Sequence, residues 1–95
     1  MAKIEVKKNP SKEELEKVGV DSWSPWSTGV SEFPWEYMTD ETCYILEGKV
    51  EVTTEDGEKV VIEKGDLVYF PAGLKVTWKV LEPVRKVYTF KKALP

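Results

Sequence analysis

The chain contains no histidine. That absence removes the commonest metal ligand, the usual general base near neutral pH, and every Ser/His or Cys/His nucleophilic pair. Cys43 is the only cysteine. No internal disulfide can form, and a thiol with no base to activate it is expected to be buried and inert. Long runs of one charge are also missing. The 14 Lys and Arg are scattered among 17 Asp and Glu, net charge is -3, and no basic cluster exceeds Lys91-Lys92. A nucleic-acid reader normally displays a basic face, so nucleic acid is not an expected partner. Apolar runs fall far short of the ~20 residues that cross a bilayer, which argues against a membrane span. Met1 to Lys8 is charged and lacks the apolar stretch of a signal peptide. The expected location is cytoplasmic. No glycine-rich loop of the phosphate-cradling type is present either.

What remains is a 95-residue chain with 41% hydrophobic and 33% charged residues, enough for one small domain over residues 1–95. Ser11, three residues before Glu14, reads as a capping box opening a short helix over residues 11–18, with Leu15 and Val18 on one face and Gly19 as the stop. From Trp23 onward the signals are β. Val50 and Val52 alternate with Lys49, Glu51 and Thr53, the period of a half-buried strand. Asp56-Gly57 suits a tight hairpin turn. Further strands are expected at Val60-Val61-Ile62, Leu67 to Phe70, Leu74 to Leu81 and Val84 to Phe90, separated by Gly65-Asp66, Pro71-Ala72-Gly73 and Glu82-Pro83. Such spacing indicates an all-β sandwich or barrel over residues 22–90. Residues 91–95 read as a frayed tail.

Two glycine-framed blocks organise this pattern: Gly29-x5-Trp35-x-Tyr37-x3-Glu41-x6-Gly48, then Gly65-x5-Pro71-x-Gly73-x2-Val76. Their spacing resembles the two cupin motifs, a resemblance that runs from about Ser22 to Phe90. It implies a cupin (RmlC-like) jelly-roll β-barrel with one short N-terminal helix. Gly48, Gly65 and Gly73 are expected where strands reverse, and Pro71 pre-sets a turn. The segments Phe33-Pro34-Trp35, Glu41 to Gly48, Phe70-Pro71-Ala72-Gly73 and Thr77 to Val80 resemble the (S)-ureidoglycine aminohydrolase-like subgroup and the compact cupins of thermophilic bacteria.

The resemblance implies a metal held by three His and one Glu. Of those positions only Glu41 is retained; Trp35, Tyr37 and Val76 stand at the His positions. The subgroup's further polar positions are occupied by Met38, Val76 and Val87. Changes from polar to apolar that converge on one cavity point to redesign, by engineering or by a lineage that abandoned metal chemistry. No metal and no cofactor are expected.

With Trp35, Tyr37, Glu41 and Val76 inward, strand alternation adds Cys43 on the Glu41 face and Trp78 on the Val76 face. In the last strand Arg85, Val87 and Thr89 are grouped with the cavity. Lys75, Lys79 and Lys86 are assigned to the opposite face, which disfavours a Schiff-base lysine. The aromatics either fill the core or form a wall on which a ligand stacks. Met38 is a gap-filler. Glu41 among apolar neighbours is expected to be poorly solvated, with a raised pKa that suits a general base; the alternative is pairing with Arg85 or Tyr37. Three functions follow: a metal-free barrel binding a small aromatic or aliphatic molecule or serving as a scaffold, an enzyme using Glu41 as a lone base for proton abstraction, and a homodimerisation module.

Overall fold

In the computed structural model, which describes residues 3–95, seven antiparallel strands form one sheet around an apolar core. In chain order these are β1 (Glu5–Lys8), α1 (Lys12–Val18), a 3-10 turn (Val20–Ser22), β2 (Ser24–Thr28), β3 (Ser31–Glu36), β4 (Glu41–Thr54), β5 (Lys59–Glu63), β6 (Asp66–Phe70) and β7 (Lys75–Thr89). The fold is a cupin barrel of the all-β class with a short helix. Ser11 and Glu14 form the capping box, and Gly19 ends α1 in the left-handed conformation.

Two long strands carry the architecture. β7 pairs with β4 along most of its length, with β3 through its first half and with β2 through its second. β4 pairs with β6 near its start and with β5 near its end. The core is Ile45, Val50, Val52, Ile62, Val68, Phe70, Trp78 and Val80, each almost wholly buried. β7 is continuous, so Glu82-Pro83 does not split it into two strands as the sequence suggested. Gly48 likewise does not reverse the chain. It lies inside β4, where the register with β7 shifts between Ile45 and Val50, and the inward residues change from Cys43 and Ile45 to Val50 and Val52.

Both ends of the barrel extend beyond residues 22–90. β1 precedes the helix and pairs with β6, setting Val6 opposite Val68. Residues 91–95 are not a frayed tail throughout: Ala93 is buried with Trp23 and Leu67. The buried Thr42 hydroxyl explains this docking. It donates to the Lys91 carbonyl at 2.6 Å and accepts the Ala93 N–H at 2.9 Å, and a buried hydroxyl without partners is costly. Asp66, buried beside this region, accepts the Glu63 N–H at 2.8 Å and pairs with Lys8.

Candidate functional site

A cavity of about 200 Å³ opens between β3, the start of β4 and the second half of β7. Seven of its nine lining residues are aromatic, and the other two are Glu41 and Lys86. The register explains the wall: Phe33 lies opposite Trp78 across β3 and β7, and Trp26 on β2 lies opposite Lys86. Trp26 meets Trp78 edge-on at 5.9 Å, while Phe33 stacks against Trp78 at 6.2 Å. Trp35 stands at the mouth, half exposed.

The only charged groups in this wall are bonded to each other. Lys86 Nζ donates to Glu41 Oε2 at 2.9 Å, with both side chains under a tenth exposed. The same ammonium lies 4.8 Å from the Trp78 ring, 5.1 Å from Trp26 and 5.6 Å from Tyr88. Three electron-rich faces and one carboxylate therefore replace the water that Lys86 would hold on the surface.

Glu41 is thus not the isolated carboxylate that the sequence suggested, nor is it bonded to Arg85. Arg85 pairs with Glu47 on the outside of the barrel. The assignment of Lys86 to the outer face was also wrong, for a specific reason. The inward positions Val76, Trp78 and Val80 are followed by Val84, Lys86 and Tyr88 at the same parity, on the far side of a stretch where β7 pairs irregularly with β4. Arg85, Val87 and Thr89 consequently lie off the cavity, and Val87 packs in the second cluster beside Trp23 and Leu67. Counting by twos from Val76 was the signal that could have found Lys86.

Other predicted residues separate by depth. Val76 and Cys43 are buried in the main core rather than in the cavity wall. Met38 is 82% exposed: Tyr37 is turned inward by its backbone bonds to Gly73 and Leu74, which turns the next side chain out. Tyr37 stacks flat on Phe70 at 4.5 Å, and its hydroxyl accepts the Trp78 indole N–H at 3.1 Å. Burial first, then Cys43 and Glu41, pushes the Tyr37 phenol well above its ordinary value. Burial also drives the Cys43 thiol up to about 12, a rise that Lys86 opposes and Glu41 and Asp66 reinforce.

These groups do not fit the metal that the cupin motifs imply. Trp35 and Val76 offer no ligand atoms. Burial raises the pKa of Tyr37 and Cys43, which disfavours the deprotonated donor a metal needs. Glu41 faces an ammonium where a cation would have to sit. Among the described residues, no three His, Cys, Asp or Glu side chains converge, and no helix is long and apolar enough to cross a membrane.

Barrel topology, glycine-framed motifs and a pocket between β3, β4 and β7 define a small cupin. Residues 15–88 match the EutQ-like cupin domain family, and the chain belongs to that family. Among solved structures it is similar to a DUF861 family protein of Thermotoga maritima, with 62% identity, a TM-score of 0.87, and coverage of 96% of this chain and all of that one. It is also similar to the Clostridium difficile EutQ protein at 23% identity and a TM-score of 0.64, covering 92% of this chain and 66% of that one; at that identity the likeness concerns the fold. A curated relative, acetate kinase EutQ of Clostridioides difficile strain 630, is 32% identical over 56 residues, 59% of this chain and 35% of the relative. The chain therefore matches about a third of that protein's length.

Proposed function

We propose that this cupin is a metal-independent binding protein for a small, flat molecule seated in the aromatic cavity. The observation that carries the reading is the combination of a cavity of about 200 Å³ walled by seven aromatic side chains with one polar pair inside it. Apolar walls with a few converging polar groups are the usual make-up of small-molecule sites. An apolar cavity of ~150 Å³ accepts benzene, so this one suits a single ring with a small substituent. The resemblance to the ureidoglycine aminohydrolase-like subgroup implies metal-dependent chemistry, which the Glu41–Lys86 pair and the aromatic wall do not favour. Acetate kinase, the name borne by the C. difficile relative, rests on a protein of which this chain matches a third, and it is not carried over.

Titration with phenol or indole, followed by the indole N–H resonances of Trp26 and Trp78, tests the reading. Saturable shifts at those two residues are expected. A folded protein whose indole resonances stay unchanged up to millimolar probe refutes it.

A further inference from the structure

The polar pair restricts what the cavity can hold. Among the described residues, the Glu41 carboxylate accepts one hydrogen bond, from Lys86 on Oε2. Its Oε1 is left as an acceptor. Lys86 carries three N–H donors, of which one reaches Glu41 while the ammonium otherwise lies against aromatic faces. The cavity therefore offers the Glu41 Oε1 acceptor beside the remaining Lys86 N–H donors, with no net charge.

Each class of ligand can be weighed against that pair. A carboxylate would gain Lys86 but sit beside the Glu41 carboxylate, and like charges at such separation in a poorly solvated site repel strongly. An ammonium meets the mirror problem at Lys86. A purely apolar ring fills the volume but returns no hydrogen bond to either charged group. A neutral ring with an N–H next to a C=O avoids all three penalties. Its N–H would pair with Glu41 Oε1 and its carbonyl with Lys86, while the ring fills the aromatic-walled volume.

We infer that the cavity selects neutral single-ring molecules bearing an adjacent N–H and C=O, the donor–acceptor edge of a lactam or cyclic amide. The inference rests on the cavity being a ligand site, as proposed above, and it adds the substrate class. Lys86 and Glu41 are then the specificity-determining residues, and the aromatic walls set size and flatness. No covalent step is involved.

The test uses the unaltered protein and four probes of similar size: 2-pyridone, N-methyl-2-pyridone, toluene and benzoate. Dissociation constants are measured by calorimetry, and the Trp26 and Trp78 indole shifts locate each probe. 2-Pyridone is expected to bind about tenfold or more tighter than its N-methyl analogue, the effect of one hydrogen bond to a charged acceptor. It should also exceed toluene and benzoate. If 2-pyridone binds no tighter than toluene or the N-methyl analogue, the donor–acceptor inference is overturned while the ligand site stands. If benzoate binds tightest, the cavity is an anion site and the inference is likewise overturned. If no probe binds, the ligand site itself fails and the inference with it. As a second check, Glu41→Gln should reduce the preference for 2-pyridone over N-methyl-2-pyridone by several-fold; an undiminished preference in a folded variant overturns the role given to Glu41.

Discussion

Replacing Lys86 by methionine separates a desolvated pair from an ornamental one. The Lys86 ammonium lies over the Trp26 and Trp78 rings, and methionine keeps most of the side-chain volume while deleting that charge. What remains is the Glu41 carboxylate, under a tenth exposed, against three aromatic rings. Removing one partner of a buried ion pair typically costs ~3–5 kcal/mol. In a domain of this size each kcal/mol moves the midpoint by ~4–8 °C, so Lys86→Met is expected to melt at least ~12 °C below the parent. Glu41→Met should cost less, ~1–3 kcal/mol, because the orphaned ammonium keeps its three aromatic faces. The double variant Glu41→Met/Lys86→Met leaves no charge to solvate and is expected within ~1 kcal/mol of the parent, or above it. Urea unfolding followed by tryptophan fluorescence yields all four stabilities and a coupling energy of ~3 kcal/mol or more. The reasoning is refuted if Lys86→Met costs under ~1 kcal/mol, the value of an exposed pair. It is equally refuted if the double variant is no more stable than Lys86→Met.

Three further predictions concern the frame around the pair. At Gly48, φ is +98° and an added Cβ would stand 2.3 Å from the Pro83 carbonyl oxygen and 2.6 Å from Val84 Cα; Gly48→Ala should cost ~3 kcal/mol or more from strain and overlap together. Gly57 has φ +89° but open space, so Gly57→Ala should cost only ~1 kcal/mol, and equal losses in chemical denaturation would contradict the contact at Gly48. Tyr37→Phe removes the acceptor for the Trp78 indole N–H and is expected to lower stability by ~1–3 kcal/mol with the fold retained, measurable in the same urea curves. Cys43 holds its proton up to about 12 in the folded state against an ordinary value of 9.0. The unfolded chain loses that proton first, so stability falls as pH rises across this window, by ~1.4 kcal/mol per unit from this group; Cys43→Val should flatten the slope between those values, and an unchanged slope would contradict a protonated buried thiol.

Much of the architecture was legible because it obeys local rules. The capping box at Ser11 and Glu14 involves neighbours in sequence, and the Asp56-Gly57 turn needs only its own backbone angles. β1 and the docked Ala93 were not legible, since each depends on a distant partner: Val68 for Val6, and the buried Thr42 hydroxyl for Ala93. The site shows the same division in sharper form. Trp35, Tyr37, Glu41 and Trp78 were reached through motif spacing and strand alternation. Lys86 was lost because the family resemblance set Val87 at a cavity position, and strand alternation then put the lysine outside. Two facts within the sequence opposed that choice. Even positions counted from Val76 lead to Val84 and Lys86, a parity that β7 keeps across its irregular pairing with β4. A glutamate in an aromatic barrel also needs a cation or a proton, and the chain has no histidine to supply either. Taken together, parity and charge balance favour the buried lysine over the apolar neighbour. A family position is a weak guide at a single strand residue where an opposite charge has already been committed to the interior.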